Sequence, residues 1–117
     1  MINILEYSDI TFPEDFLWGA STAGQQIEGN NNSFYDDKEI APKFAYGGVP
    51  YQMAGRACNS YEMYKEDIAL LKKMHLNSYR MSLEWSRIEP VEGQFDEKEI
   101  EHYRDVLKEL KKNNIKV

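Results

Sequence analysis

Asn77-Ser78-Tyr79-Arg80-Met81-Ser82-Leu83-Glu84-Trp85 decides how this chain folds. Tyr79, Met81, Leu83 and Trp85 alternate with Arg80, Ser82 and Glu84, and a period of two is the mark of a strand whose two faces meet different surroundings. The flanks change period. Upstream, Tyr61, Tyr64, Ile68 and Leu71 recur at helical spacing, with Leu70 and Met74 widening the apolar stripe. Asn59 and Glu62 stand in a capping-box relation at the start of that helix, and Lys72 and Lys73 favour its C-terminal end. Downstream, Ile100, Tyr103, Leu107 and Leu110 repeat the spacing, Val106 joins them, and Asp96 with Glu99 forms a second capping-box pattern.

Working outward, Phe16-Leu17-Trp18 begins an apolar strand that becomes small-sided through Gly19-Ala20-Ser21-Thr22-Ala23-Gly24. Such a run lets another backbone or a ligand approach closely. Residues 30–57 read as a long irregular connection broken by Pro42, Gly47-Gly48, Pro50 and Gly55. Asn113-Asn114 ends the second long helix, and Ile115-Lys116-Val117 opens a third strand. The order strand, helix, strand, helix, strand is the rhythm of a parallel α/β sheet with right-handed crossovers. The rhythm fits a closed barrel and an open doubly wound sheet alike. No Gly-x-Gly-x-x-Gly follows a strand, which weakens a dinucleotide-binding reading. A strand opening at Ile115 needs further partners, so residues 1–117 read as the N-terminal part of one larger domain, truncated.

The chain has 117 residues with a formal net charge of −6. That balance argues against nucleic acid as a partner, which needs a basic face. No run of apolar residues reaches the length of a membrane span, and the N-terminus shows no signal-peptide pattern. Cys58 is the only cysteine, which suits a reducing cytoplasm. Nothing in the sequence fixes an oligomeric state, and no metal-ligand or cofactor motif occurs.

Two long stretches carry a resemblance. Phe12-Pro-Glu-Asp-Phe-Leu-Trp-Gly-Ala-Ser-Thr-Ala-Gly-Gln-Gln-Ile-Glu-Gly29 is similar to the N-terminal signature of glycoside hydrolase family 1, and Tyr79-Arg-Met-Ser-Leu-Glu-Trp-Ser-Arg-Ile-Glu-Pro90 to its second-strand motif. Tyr61 to Leu71 resembles the helix leading into that strand. The resemblance implies a (β/α)₈ TIM barrel, of which the chain covers the first two βα units and the start of the third strand. It also implies a retaining β-glycosidase acting on a small-molecule β-glycoside, with no cofactor and no metal. Two glutamates would do the chemistry, at the ends of the fourth and seventh strands. No glutamate of this chain lies in an Asn-Glu-Pro or Glu-Asn-Gly context, so no catalytic carboxylate is assigned, and the 117-residue chain is expected to be inactive alone. The alternatives are a 6-phospho-β-glucosidase of the same family and a non-catalytic sugar-binding relative.

Two positions match functional residues of the family. Gln26 corresponds to the glutamine that binds sugar hydroxyls in the −1 subsite, for which an amide offers both donors and an acceptor. Arg80 corresponds to the arginine beneath the nucleophile, where a permanent charge opposes protonation of a carboxylate. Alternation puts Arg80 on the face opposite the helices, with Glu28 and Glu84 as local partners. The chain departs from the family pattern at Asn59-Ser60-Tyr61, where Asp-His-Tyr is common, at Gln25, where an aromatic is common, and over residues 31–51, which match poorly. Glu28 and Glu84 are expected to serve structural ion pairs or hydrogen bonds. His75 and His102 read as solvated surface, Trp18 and Trp85 as core within apolar alternation, and Cys58 as a small buried or loop residue.

Overall fold

The computed structural model describes residues 11–44 and 53–117. The middle of the long connection, including Gly47-Gly48 and Pro50, lies outside the described residues. Strand β1 (Gly19–Ser21) leads into a single helical turn, α1 (Gly24–Ile27). A 3-10 turn follows at Ala41–Phe44, and helix α2 runs over Ser60–Lys73. Strand β2 (Ser78–Arg80), a short α3 (Trp85–Ile88) and the long α4 (Glu97–Lys112) complete the order.

β1 and β2 pair in parallel, with Gly19 opposite Ser78 and Ser21 opposite Arg80. Lys116 bridges Ser78 on the other side, also in parallel, so the third strand starts where the sequence places it. Asn77 ties the ladder's entrance: its Oδ1 accepts from the Trp18 amide at 2.8 Å and its Nδ2 donates to the Phe16 carbonyl at 3.0 Å. Close approach of the strands explains Gly19. A Cβ there would sit 2.2 Å from the Ser78 hydroxyl oxygen and 2.9 Å from its carbonyl oxygen.

The helices cover one face. Ile68 of α2, Val106 and Leu110 of α4, and Ile115 form the buried cluster, with Tyr64, Leu71, Tyr79 and Met81 packed against it. Leu110 is wholly enclosed. Tyr79 and Met81 therefore face the helices, as their alternation implies, and Arg80 between them is exposed.

Both strands are shorter than their apolar patterns. A ladder lasts only while both chains remain extended, and after Thr22 the first chain coils into α1. The Thr22 amide donates to the Arg80 carbonyl at 3.0 Å as the last rung. Leu83 and Trp85 consequently fall beyond the strand, and Trp85 opens α3 instead of packing in the core. It is 56% exposed and donates from Nε1 to Glu89 at 2.7 Å. Trp18 is also exposed, stacking edge-on with Phe12 and tilted against Phe16 at ring separations of 4.7 Å.

Neither capping box forms as a reciprocal pair. Asn59 sits at φ 57° in the left-handed region and its side chain makes no cap bond. The start of α2 is tied by the Ser60 hydroxyl, which donates to Asp67 at 2.5 Å. Asp96 does cap α4, accepting from the Lys98 amide at 2.9 Å, but Glu99 turns away to accept from the Tyr61 hydroxyl at 2.9 Å.

Candidate functional site

In a parallel sheet all strands point the same way, and their C-terminal ends gather chemistry from successive loops. Here β1 and β2 end side by side at Ser21 and Arg80. The segments leaving them remain in contact: the Gly24 amide donates to the Ser82 hydroxyl at 2.8 Å, and the Thr22 hydroxyl bonds to the Tyr79 hydroxyl. α1 thus begins directly above the end of β2 and carries Gln25 and Gln26.

The two glutamines differ sharply. Gln25 is fully engaged: Nε2 donates to Asp36 at 2.8 Å, and Oε1 accepts from Ser33 at 2.7 Å and from Asn31 at 3.2 Å. It ties α1 to the loop, a job for an amide and not for an aromatic ring. Gln26 is exposed, and its side chain has no hydrogen bond to another described residue. The same holds for the Arg80 guanidinium. Neither of its expected local partners takes it. Glu84 turns to its own helix, accepting from the Ser86 hydroxyl at 2.8 Å and capping the Ser86 amide, while Glu28 pairs elsewhere.

Glu28 lies just behind Gln26 and is 6% exposed. Arg87 Nε donates to Glu28 Oε2 at 3.0 Å, and the Tyr103 hydroxyl reaches both carboxylate oxygens at 3.0 and 2.9 Å. The Glu84 amide donates to that same Tyr103 oxygen at 3.0 Å. Arg87 Nη2 donates onward to the Gly29 carbonyl at 2.5 Å and to Asn31 Oδ1 at 2.9 Å. The guanidinium lies 4.1 Å from the centre of the Tyr61 ring, a cation–π placement. Burial pushes the Glu28 carboxyl above its ordinary value, and the bonds from Tyr103 and Arg87 draw it partly back. Burial, followed by the Glu28 charge, raises the Tyr103 phenol strongly. Burial and the bond to Glu99 push Tyr61 up to about 12.

The structural role expected for Glu28 is therefore present, with Arg87 as partner instead of Arg80. Arg87 was not legible as a buried residue: it stands beyond the strand pattern, in a stretch that reads as loop. Its place inside the quoted second-strand motif was the only available signal. His102 corrects another expectation. It is half-buried, stacked on Tyr61 at 3.8 Å with Tyr64 and Tyr103 at its edges, and burial lowers its pKa. His75 and Cys58 are exposed.

A cavity of about 280 Å³ lies on the helix side of the sheet, walled by Tyr61, Tyr64, Ile68, Tyr79, Tyr103 and Val106 among others. Neither Gln26 nor Arg80 lines it. Among the described residues no cluster of His, Cys, Asp or Glu could hold a metal ion, and no helix is long and apolar enough to cross a membrane.

The model of glycosyl hydrolase family 1 matches residues 8–117. Myrosinase 1 of Brevicoryne brassicae is 38% identical over 113 residues, covering 92% of this chain and 24% of the relative. Beta-glucosidase A of Acetivibrio thermocellus is 38% identical over 112 residues, covering 92% and 25%. The solved β-glycosidase from Pyrococcus horikoshii superimposes with a TM-score of 0.74 at 40% identity, covering 89% of this chain and 23% of that one. The chain spans about a quarter of the length of the relatives it matches, and its fold is a fragment of their TIM barrel.

Proposed function

Since the chain belongs to glycosyl hydrolase family 1, we propose that residues 1–117 are the N-terminal part of a single barrel domain in a retaining β-glycosidase that hydrolyses terminal β-D-glucosides or related β-glycosides. In such a mechanism one carboxyl protonates the glycosidic oxygen. The other attacks the anomeric carbon, and water then resolves the glycosyl-enzyme. This segment supplies the substrate-facing support for that chemistry and neither carboxylate.

The observation that carries the reading is the contrast within the amide pair. Every polar atom of Gln25 is spent inside the fold, while Gln26, one residue on, is exposed and its side-chain amide bonds to no other described residue. A free amide offers donors and an acceptor to adjacent sugar hydroxyls. Arg80 supports the reading in the same way. It ends β2 on the face away from the helices with no ion pair among the described residues, and beneath a nucleophilic carboxylate it would hold that group ionised. The lone exposed Cys58 accords with a reducing cytoplasm.

The test is Gln26→Ala in the full-length enzyme carrying this segment, assayed on an aryl β-glucoside. A loss of about 10²-fold in kcat/KM is expected, because the sugar hydroxyls lose partners in a desolvated site. Thermal stability should stay within about 0.5 kcal/mol, since the side chain is exposed and bonds to no other described residue. Wild-type activity would refute the reading. The isolated 117-residue chain should show no turnover above a buffer blank, as each missing carboxylate serves a step the other cannot perform.

A further inference from the structure

α1 is a single turn of four residues. A turn that short has no stability of its own, because nucleation fixes several dihedrals for one hydrogen bond. Something else must hold Gln26 in place: before it, Gly24 is tied to Ser82 and Gln25 to Asp36 and Ser33, and after it the contacts converge on one side chain. Arg87 grips three positions just after the turn: the Glu28 carboxylate at 3.0 Å, the Gly29 carbonyl at 2.5 Å and the Asn31 amide oxygen at 2.9 Å. Asn31 passes the grip back, its Nδ2 donating to Gln25 Oε1 at 3.2 Å and to the Gly24 carbonyl at 3.4 Å. Residues on both sides of Gln26 are thereby tied to one guanidinium. Gly29 lies at φ 82°, and a Cβ there would fall 2.1 Å from the Arg56 carbonyl oxygen, so the chain reversal that brings its carbonyl to Arg87 has little freedom to relax.

We propose that Arg87 is a positioning residue for Gln26: its planar fork fixes the α1 turn at the angle from which the Gln26 amide meets substrate. The inference rests on the reading of Gln26 as a sugar contact. A fork is essential. A lysine ammonium can pair with Glu28, but it cannot reach a carboxylate, a carbonyl and an amide oxygen in one rigid plane. Arg87→Lys separates the two roles, keeping a counter-charge for Glu28 and releasing the turn.

The experiment is a double-mutant cycle in the full-length enzyme: wild type, Gln26→Ala, Arg87→Lys and the double variant, each measured for kcat/KM on an aryl β-glucoside and for thermal midpoint. Arg87→Lys should lower kcat/KM by about tenfold while Gln26 is present, part of the ~10²-fold that a misplacement of about 1 Å can cost. In the Gln26→Ala background it should cost less than about twofold, because the group it positions is gone. Equal losses in both backgrounds, or wild-type activity in Arg87→Lys, would overturn the proposal. Should Arg87→Lys fail to fold, Asn31→Ala takes its place in the cycle. It cuts the link from Arg87 to Gln25 and leaves the ion pair intact, and the same dependence on Gln26 is expected of it. Wild-type activity in Gln26→Ala alone would instead overturn the sugar-contact reading, and this inference with it.

Discussion

Replacing Arg87 by methionine strips a buried carboxylate of its only counter-charge among the described residues. The ion pair with Glu28 is well shielded, with side-chain exposures of 15% and 8%. Removing one member of such a pair costs about 3–5 kcal/mol, because the other charge stays buried without compensation. The variant also loses the bonds to the Gly29 carbonyl and Asn31 and the placement over Tyr61. Methionine's apolar stem recovers some packing, and these terms do not add. A loss of about 4 kcal/mol at neutral pH is expected. The pH dependence separates this cause from simple loss of packing. Burial already raises Glu28 above its ordinary 4.5, while the bond from Tyr103 and the Arg87 charge and bond lower it. Without Arg87 two of those opposing effects vanish and the folded-state pKa climbs further. A carboxyl whose folded pKa is raised binds more protons folded than unfolded, so its contribution falls as pH rises above 4.5. The Arg87→Met deficit should therefore be smallest well below pH 4.5, where the carboxyl is protonated both folded and unfolded, and grow as pH rises from there towards neutrality. Thermal midpoints of wild type and variant across that range provide the assay. A deficit that is large but independent of pH would refute the account, since it would mean that packing and not charge is lost.

Arg80→Met in the full-length enzyme should raise the nucleophile's pKa, moving the acidic limb of the kcat/KM profile upward, whereas in the 117-residue chain, where Arg80 is exposed, it should change stability by no more than about 0.5 kcal/mol. An unmoved limb would reject a role beside the nucleophile. Gly19→Ala should destabilise by about 1–3 kcal/mol, as the new Cβ collides with both the hydroxyl and the carbonyl of Ser78. Adding Ser78→Ala removes only the hydroxyl clash, so partial rescue is expected, and an unchanged thermal midpoint for Gly19→Ala would show that the strands are less tightly apposed than the structure indicates.

The βαβαβ order, the helix-facing side of Tyr79 and Met81, and the third-strand start were legible because apolar periodicity reports burial directly. Strand length was not. It depends on where the partner chain stops being extended, and the coil into α1 after Thr22 is a tertiary decision. Asn59 shows the same limit. Its spacing to Glu62 suits a cap, yet its left-handed backbone takes the side chain out of reach. At the candidate site, Gln26 and Arg80 were named from motif resemblance; the structure has Arg80 at the end of β2 and Gln26 in the turn that follows β1, both exposed and neither side chain hydrogen-bonded to another described residue. Arg87 was missed because a charged residue in a loop reads as solvated, and only the folded chain brings Glu28 and Tyr103 around it. His102 was missed for a related reason: its burial comes from Tyr61, on another helix.

The bonds that enclose Glu28 join residues far apart in the chain: 59 positions separate it from Arg87 and 75 from Tyr103. Contacts of such separation wait on local ones, because the loop must close before they return anything. α2, β2 and α4 are near neighbours in sequence and can dock through Ile68, Val106 and Leu110 while Glu28 is still hydrated. On this contact order the first strand and the turn behind it are expected to latch on last, with the carboxylate losing its water in that step. A substitution in the latch should leave the folding rate almost untouched and appear as faster unfolding. The turn that carries Gln26 would then be fastened at the end of folding and released at the start of its reversal, and an unfolding rate unmoved by a substitution in the latch would show otherwise.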